Sequence, residues 1–370
     1  MSLQRNRRAA RAFGQLLKFA AWLQALPNRL TPPPFRLMQL GSAYWQSRAL
    51  HAAVRLDIAT ALGDAQLDAG DIAARIGAHP DALLRLMRML AAMGVFAETA
   101  PGRFANTATS TCLRSDNPAN IRALILMHNA PEISAPWFEH LEQGIRSGET
   151  PFRLAHGRDL FEHMDADPAF DALFAAAMES VDALVGDSHA TDFDWGCFRR
   201  VVDLGGSKGG KSLAILKHHP GLKALVVDRP QTIAAARDHW LGRQDAKVLD
   251  RMAFQAGDVL QAVPAAEAGD IFLLSAVLHG FDDTDCAAAL RTVAAAASPA
   301  RAPIAIMELV MPESGADLAC AAIDMQLFVN SRGRERTLAQ WRALSTEAGL
   351  ELREVVDLRS MAKILVLETA

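Results

Sequence analysis

Three groups of residues have types and spacings that could do chemistry. The first is a glycine-rich run, Asp203-Leu-Gly205-Gly206-Ser207-Lys208-Gly209-Gly-Lys211-Ser212, between an apolar stretch of β type and a helical one. Glycines there let the backbone turn tightly and approach a ligand. Read as Gly205-x4-Gly210-Lys211-Ser212, the run matches a triphosphate cradle, with Lys211 on the β/γ oxygens and Ser212 on Mg²⁺. Asp203 then puts negative charge beside a polyphosphate, and no later apolar strand ends in a suitable magnesium-binding acid. Read as Asp203-x-Gly205-x3-Gly209, it is a turn for a nucleoside without phosphates. Asp228, at the end of the next apolar run, can accept hydrogen bonds from ribose hydroxyls. Asp258, in Gly257-Asp258-Val259, can accept one from an adenine amino group. The second group is Ser275-Ala-Val-Leu-His279-Gly-Phe281, with a histidine where catalytic groups gather at strand ends. The third is a pair of acids, Glu308 after the following strand and Glu335 in Gly333-Arg334-Glu335-Arg336-Thr337.

The elements that must carry these residues follow from periodicity. Apolar runs at Arg200–Leu204, Ala224–Asp228, Met252–Gln255, Asp270–Leu274 and Pro303–Met307 alternate with helical stretches, and a strand pair near Leu352–Asp357 and Ala362–Leu367 closes the chain. That alternation predicts a parallel, doubly wound sheet with ligands at the carboxyl ends of its strands. Residues 116–190 read as helical, with His128, Asn129, Trp137, Phe138, Phe152, Phe161, His163, Phe170 and Met178 shared between core and pocket lining.

Upstream, Leu50–Leu62, Ile72–Ile76 and Asp81–Met93 have helical spacing, with Asp68 as a cap, Gly77 and Gly94 as stops and Pro80 at a helix start. Val95–Glu98 and Arg103–Asn106 flank Pro101-Gly102 as a hairpin. Helices followed by a hairpin form a winged-helix pattern. DNA binding needs clustered positive charge, and residues 37–110 carry six basic and six acidic side chains. The would-be recognition helix, DALLRLMRMLAAM, is mostly apolar, which points to packing against protein and to dimerisation.

Residues 1–36 hold Arg5, Arg7, Arg8, Arg11, Lys18, Arg29 and Arg36 and no acid. Ala10–Leu26 reads as an amphipathic helix stopped by Pro32-Pro33-Pro34. A targeting peptide is one reading; a helical arm packed on a partner subunit is the preferred one, because Gln15, Lys18 and Gln24 interrupt the apolar part. The chain has 370 residues, a net charge of −4 and 51% apolar residues, enough for two domains with substantial cores. Four cysteines without a CxxC pair exclude a disulfide scaffold or zinc ribbon and fit a reducing cytoplasm. No apolar run has the ~18 residues of a membrane span. Low aromatic content and near-neutral charge exclude a general nucleic-acid binder.

With these residues in place, the chain resembles the class I, S-adenosylmethionine-dependent O-methyltransferases of small molecules, the group of caffeic acid, hydroxyindole and antibiotic-tailoring enzymes. The resemblance rests on HPDALLRLMRMLAAMGVF, WFEHLEQGIRSGETPF and the core motifs VVDLGG, VVDRP, AGDV, LLSAVLH, MELVMP and GRERT, and it covers nearly the whole chain. It implies an α/β, Rossmann-like doubly wound methyltransferase domain, with an α-helical, winged-helix-like dimerisation domain before it. The expected division is 1–112 for the arm and dimerisation domain and 113–370 for the helical substrate-binding section and the catalytic domain. It implies S-adenosylmethionine near Asp203, Gly205, Gly206, Ser207, Gly209, Asp228, Arg229, Asp258, Val259 and Ser275. It implies His279 as general base flanked by Glu308 and Glu335, no metal, a homodimer in the cytoplasm, and a hydroxylated, aromatic acceptor from secondary metabolism. Some members of this fold carry out hydroxylation or cofactor-assisted rearrangement, which is the alternative reading. A ligand-sensing winged-helix regulator and a P-loop NTPase are more distant ones.

Three motifs depart from the family pattern. Ser207 and Lys208 stand where the turn has its third glycine and that residue's neighbour. Lys208 can pair with the methionine carboxylate, point to solvent or obstruct the site. His-Asp-Trp becomes His279-Gly280-Phe281, and Gly-Gly before the last glutamate becomes Arg332-Gly333. Arg332 can bind an anionic acceptor or remain a solvated loop charge.

Overall fold

The apolar runs of the second half form strands because successive side chains leave a strand on opposite faces, and here both faces are covered. In the computed structural model, which describes residues 2–240 and 246–369, packing divides the chain into two units. One holds Met1–Trp22 and Val185–Ala370, the other Leu23–Leu184. The expected boundary at 112/113 follows motifs; the units follow packing, and the first residues lie with the α/β unit.

The helical unit carries a small sheet of β1 (Leu67–Asp68), β2 (Phe96–Ala100) and β3 (Arg103–Asn106), in the order β1-β3-β2. Pro80 opens the helix Pro80–Ala92 as expected, and Gly77 ends Ala69–Ile76 in the left-handed region. Leu83, Met87 and Leu90 of the would-be recognition helix are at most 2% exposed and pack with Ile58, Leu62, Ile72 and Phe104. That face therefore builds this unit's own core. The single helix expected over Leu50–Leu62 is two, Ala43–Arg55 and Ile58–Leu62, broken at Asp57. Asp57 adopts a left-handed φ of 51°, which aspartate tolerates better than most residues. Its carboxylate accepts from Arg122 Nη1 at 2.5 Å and Thr60 Oγ1 at 2.7 Å. Within residues 116–184, Phe152 and Phe170 are buried; Phe152 packs tilted against His156, and His163 lies edge-on to both phenylalanine rings. Phe138, Phe161 and Met178 are exposed.

The α/β unit holds β4 (Arg200–Leu204), β5 (Lys223–Asp228), β6 (Met252–Ala256), β7 (Asp270–Ser275), β8 (Ile304–Met311), β9 (Arg336–Thr337), β10 (Leu350–Asp357) and β11 (Ala362–Thr369). The main order is β10-β11-β8-β7-β4-β5-β6, with β9 paired to β8. From β6 to β8 the pairs are parallel, while β11 is antiparallel to β8 and β10 to β11. The sheet is thus mixed at one edge, where the short 358–361 connection permits only a hairpin. Val202, Leu204, Phe272, Leu274 and Ile306 face one core; Val201, Val226, Leu273, Ala305 and Met307 face the other. The first residues strap onto this unit. Leu3 N donates to Glu354 Oε2 at 2.9 Å, Asp357 N donates to Gln4 Oε1 at 2.8 Å, and Arg5 pairs with Asp194. The helix Arg7–Leu30 follows, longer than expected, and the proline run lies at the start of the next helix, Pro33–Gly41.

Candidate active site

Two clusters gather at the carboxyl ends of the parallel strands. The first is the glycine turn between β4 and the helix Gly210–His218. Gly205 has a φ of +71°, and a Cβ there would fall 2.6 Å from Val277 Cγ2, so only glycine fits. Asp203, 1% exposed, lies beneath the turn and accepts from Ser212 Oγ at 2.6 Å. Gly206 stands directly over that carboxylate, and Gly209 N donates back to Gly206 O at 2.8 Å. With its hydroxyl turned inward, Ser212 is not placed to hold Mg²⁺, which removes the triphosphate-cradle reading.

Ser207 also sits at a left-handed φ, +52°, without being glycine. Its N donates to Asp228 Oδ2 at 2.8 Å, and Arg229 N donates to Asp228 Oδ1 at 2.7 Å. The carboxylate at the end of β5 thereby anchors the turn to the neighbouring strand. Lys208 O accepts from Trp240 Nε1 at 2.6 Å. Beyond β6, Asp258 accepts from Leu260 N and from Gln261 Nε2, both at 2.9 Å. A crevice of about 650 Å³ lies between these strand ends, lined by Arg229, Gln231, Gly257, Asp258, Gln261 and Val263 among others. Val259 packs beside it against the core. Ser275, at the end of β7, is 8% exposed, and its Oγ has no hydrogen-bond partner among the described residues.

This donor set fits an adenosine-bearing sulfonium. Each carboxylate oxygen has roughly two acceptor sites, so Asp228 and Asp258 keep capacity for ribose and adenine donors.

The second cluster is built on the turn after β7. His279 lies in a short 3-10 turn, Leu278–Gly280. Glu308 projects from β8, and Glu335 immediately precedes β9, which pairs with β8. His279 Nδ1 is 2.9 Å from Glu335 Oε1 and 3.5 Å from Glu308 Oε2. Both acid side chains are 1% exposed, against 23% for the imidazole. Glu308 Oε1 also accepts from the backbone N–H groups of Val277, Leu278 and His279 at 3.1, 3.0 and 3.4 Å. Glu335 is held in turn by its own N–H donating to Asp324 Oδ1 at 2.9 Å.

With carboxylates facing Nδ1, the proton belongs on that nitrogen, and Nε2 is left as the working atom. Burial by itself disfavours the imidazolium, but the charges of Glu308 and Glu335 outweigh it and push His279 up to about 9. Glu308 moves above the usual carboxylate range, through burial first and then the repulsion of Glu335, against the pull of His279. Asp324, Arg336 and Asp283 are site residues that the sequence reading missed. Arg336 adjoins Glu335 in the motif, but nothing local says that its guanidinium is fully buried.

Comparison with known proteins places the chain in a family. A model of the O-methyltransferase domain matches residues 138–351, and one of the O-methyltransferase dimerisation domain matches residues 38–116. The phenazine O-methyltransferase PhzM of Lysobacter antibioticus is 31% identical over 329 residues, covering 89% of this chain and 94% of that protein. The crystal structure of LaPhzM superposes with a TM-score of 0.83 at 30% identity, covering 92% of this chain and 100% of that one. The O-methyltransferase NcsB1 from neocarzinostatin biosynthesis, solved with S-adenosylmethionine and 2-hydroxy-5-methyl naphthoic acid, gives 0.73 at 29% identity, covering 88% and 96%. The chain belongs to the O-methyltransferase family.

Two of the turn's three left-handed residues, Gly205 and Ser207, should respond differently to substitution. Gly205→Ala adds a disfavoured φ and a clash with Val277 and is expected to cost about 2–4 kcal/mol in urea denaturation. Ser207→Gly should change stability by less than about 1 kcal/mol, because relief of strain offsets added chain entropy. A Gly205→Ala protein as stable as the parent would show that the turn is not fixed as described.

Proposed function

We propose that this O-methyltransferase transfers a methyl group to a hydroxyl of an aromatic small molecule, with His279 as the general base. The observation that carries the reading is the 2.9 Å approach of His279 Nδ1 to the buried Glu335 carboxylate, which leaves Nε2 facing away from both acids as the proton acceptor. The phenazine and naphthoate names among the relatives support an aromatic acceptor. S-adenosylmethionine supplies, when bound, an electrophilic methyl on a sulfonium. Asp228 would accept from its ribose hydroxyls and Asp258 from its adenine amino group, while Ser275 Oγ offers a buried, unused donor. Gly205, Gly206 and Gly209 would shape the turn against it. Ser207 and Arg229 would act there mainly through their backbone N–H bonds to Asp228, and Asp203 and Val259 from behind.

The proton arithmetic sets what His279 must do. A phenol of pKa ~10 costs roughly 4 kcal/mol to ionise at pH 7. A base near 9 is itself mostly protonated at neutral pH, with about one molecule in a hundred free to accept. The gain therefore lies in a transfer that is uphill by only about one pKa unit, roughly 1.4 kcal/mol, and in the imidazolium left beside the phenolate. Glu335 and Glu308 stabilise that imidazolium and fix its tautomer, as the acid does in a catalytic triad.

We also read the chain as a homodimer working in the cytoplasm on a small molecule, without nucleic acid. The dimerisation-domain match supports the first point, together with exposed Leu37, Leu40 and Trp45 around its start. The four free cysteines fit a reducing compartment, and among the described residues no helix is long and apolar enough to cross a membrane.

Three measurements test the reading. With isotopically labelled S-adenosylmethionine and a panel of phenols, His279→Ala should lower kcat by about 10²- to 10⁴-fold while S-adenosylhomocysteine binds as before. Near-parental turnover would remove the base. In the parent, kcat/KM should rise with pH through about 9, because deprotonation creates the active form; a flat profile from pH 6 to 10 would contradict it. Chelation with EDTA should leave turnover unchanged. His279, Glu308 and Glu335 present ligand atoms within 4.8 Å of one another, but three N–H groups already engage Glu308 Oε1. Loss of activity on chelation would make the cluster a metal site.

A further inference from the structure

We propose that Arg336 is a positioning residue for His279, holding the carbonyl side of the turn whose N–H side is held by Glu308; this rests on the reading of His279 as the base. Arg336 opens β9 opposite Val310 of β8 and is fully buried. Its Nη1 donates to Leu278 O at 3.0 Å and its Nη2 to Phe281 O at 2.8 Å. Its Nε donates to Asp283 Oδ1 at 2.9 Å. The guanidinium carbon lies 5.3 Å from the centroid of the buried Trp341 ring. The side chain is fully buried, so its planar fork is committed to one segment, residues 278–283.

That segment is clamped at both ends. Three amide N–H groups, of Val277, Leu278 and His279, converge on Glu308. Two carbonyls, of Leu278 and Phe281, converge on Arg336. An anion at the N–H end and a cation at the carbonyl end is the favourable sense for a helical turn. A third contact closes the clamp. A Cβ on Gly333 would fall 1.9 Å from His279 O, so the loop leading to Arg336 lies against the turn, and only glycine permits this approach. Glu335 and Arg336, adjacent in sequence, therefore address the same histidine, Glu335 through the ring and Arg336 through the backbone.

A lysine cannot replace this fork. It carries the charge, but as a point donor it cannot reach two carbonyls and a carboxylate in one plane. The charge and the geometry of Arg336 can thus be separated. Its charge opposes that of Glu308 and Glu335 at the imidazole, so a neutral replacement should raise the histidine's pKa further, whereas lysine should leave it in place.

The test compares Arg336→Lys, Arg336→Gln and Asp283→Asn with the parent. The last keeps the buried guanidinium and removes only its half-exposed carboxylate partner, which preserves a readable variant if the two arginine replacements fail to fold. Arg336→Lys should lower kcat by about 10- to 100-fold, with KM and S-adenosylhomocysteine affinity near parental and the rising limb of the pH profile unmoved. Arg336→Gln should lower kcat and move that limb upward. Asp283→Asn should lower kcat several-fold with the pH limb in place. In a His279→Ala background, Arg336→Lys and Asp283→Asn should have no further effect on kcat, the non-additivity expected of groups acting through one residue. ¹⁵N NMR titration of the His279 ring reads the same coupling without turnover. If His279→Ala is fully active, the base reading falls, while a changed His279 ring signal in these variants would still show that Arg336 sets its environment. Variants with kcat within twofold of the parent and an unchanged His279 signal would overturn the proposal.

Discussion

Two buried carboxylates share one imidazole at the end of the parallel sheet. Bringing Glu308 and Glu335 out of water costs several kcal/mol for each ion, and the cost is offset only because every neighbour is arranged around them. Glu308 spends one oxygen on three backbone N–H groups, Glu335 spends one on His279 Nδ1, and the remaining oxygens, Oε2 of each, are buried without a hydrogen bond. The negative charge of the two carboxylates favours a proton on the imidazole against the effect of burial. The chemistry assigned to His279 and the shape of its turn thus have one electrostatic origin.

The same logic, with a shorter reach, organises the nucleoside side. Asp203 goes beneath the glycine turn and Asp228 beside it, so the turn is held from below by Ser212 Oγ and from the flank by the amides of Ser207 and Arg229. The turn is thereby fixed on rigid strands, not suspended on a mobile loop. Ser207 in a left-handed conformation becomes intelligible on this footing: its N–H bond to Asp228 helps to offset a strain of about 1–2 kcal/mol.

Some of the site was legible residue by residue. Gly205 and Gly209 announce a turn, and both have positive φ; Asp228 ends β5 as the count from that turn suggests, whereas Asp258 lies two residues beyond the end of β6. These inferences rest on local sterics and short spacing. The break at Asp57 and the antiparallel edge β10–β11–β8 were less visible. A helical period does not show where one residue will turn left-handed to meet Arg122, and an apolar run does not state its direction. Arg336 was missed because charged residues are expected outside, and what reverses the expectation is a set of carbonyls over 50 residues away in the chain.

The sequence by itself determined the strand-and-helix alternation, the glycine turn and the presence of one histidine and two acids in recognisable motifs, because backbone preference and hydrophobic period act over a few residues. Tertiary structure alone decided that Glu308 and Glu335, 29 and 56 residues beyond His279, meet at its Nδ1, and that Arg336 closes the turn from the other side. Strand order brings β7, β8 and β9 side by side, and only that adjacency places the charges within hydrogen-bonding distance, in a setting dry enough for them to govern where the proton resides.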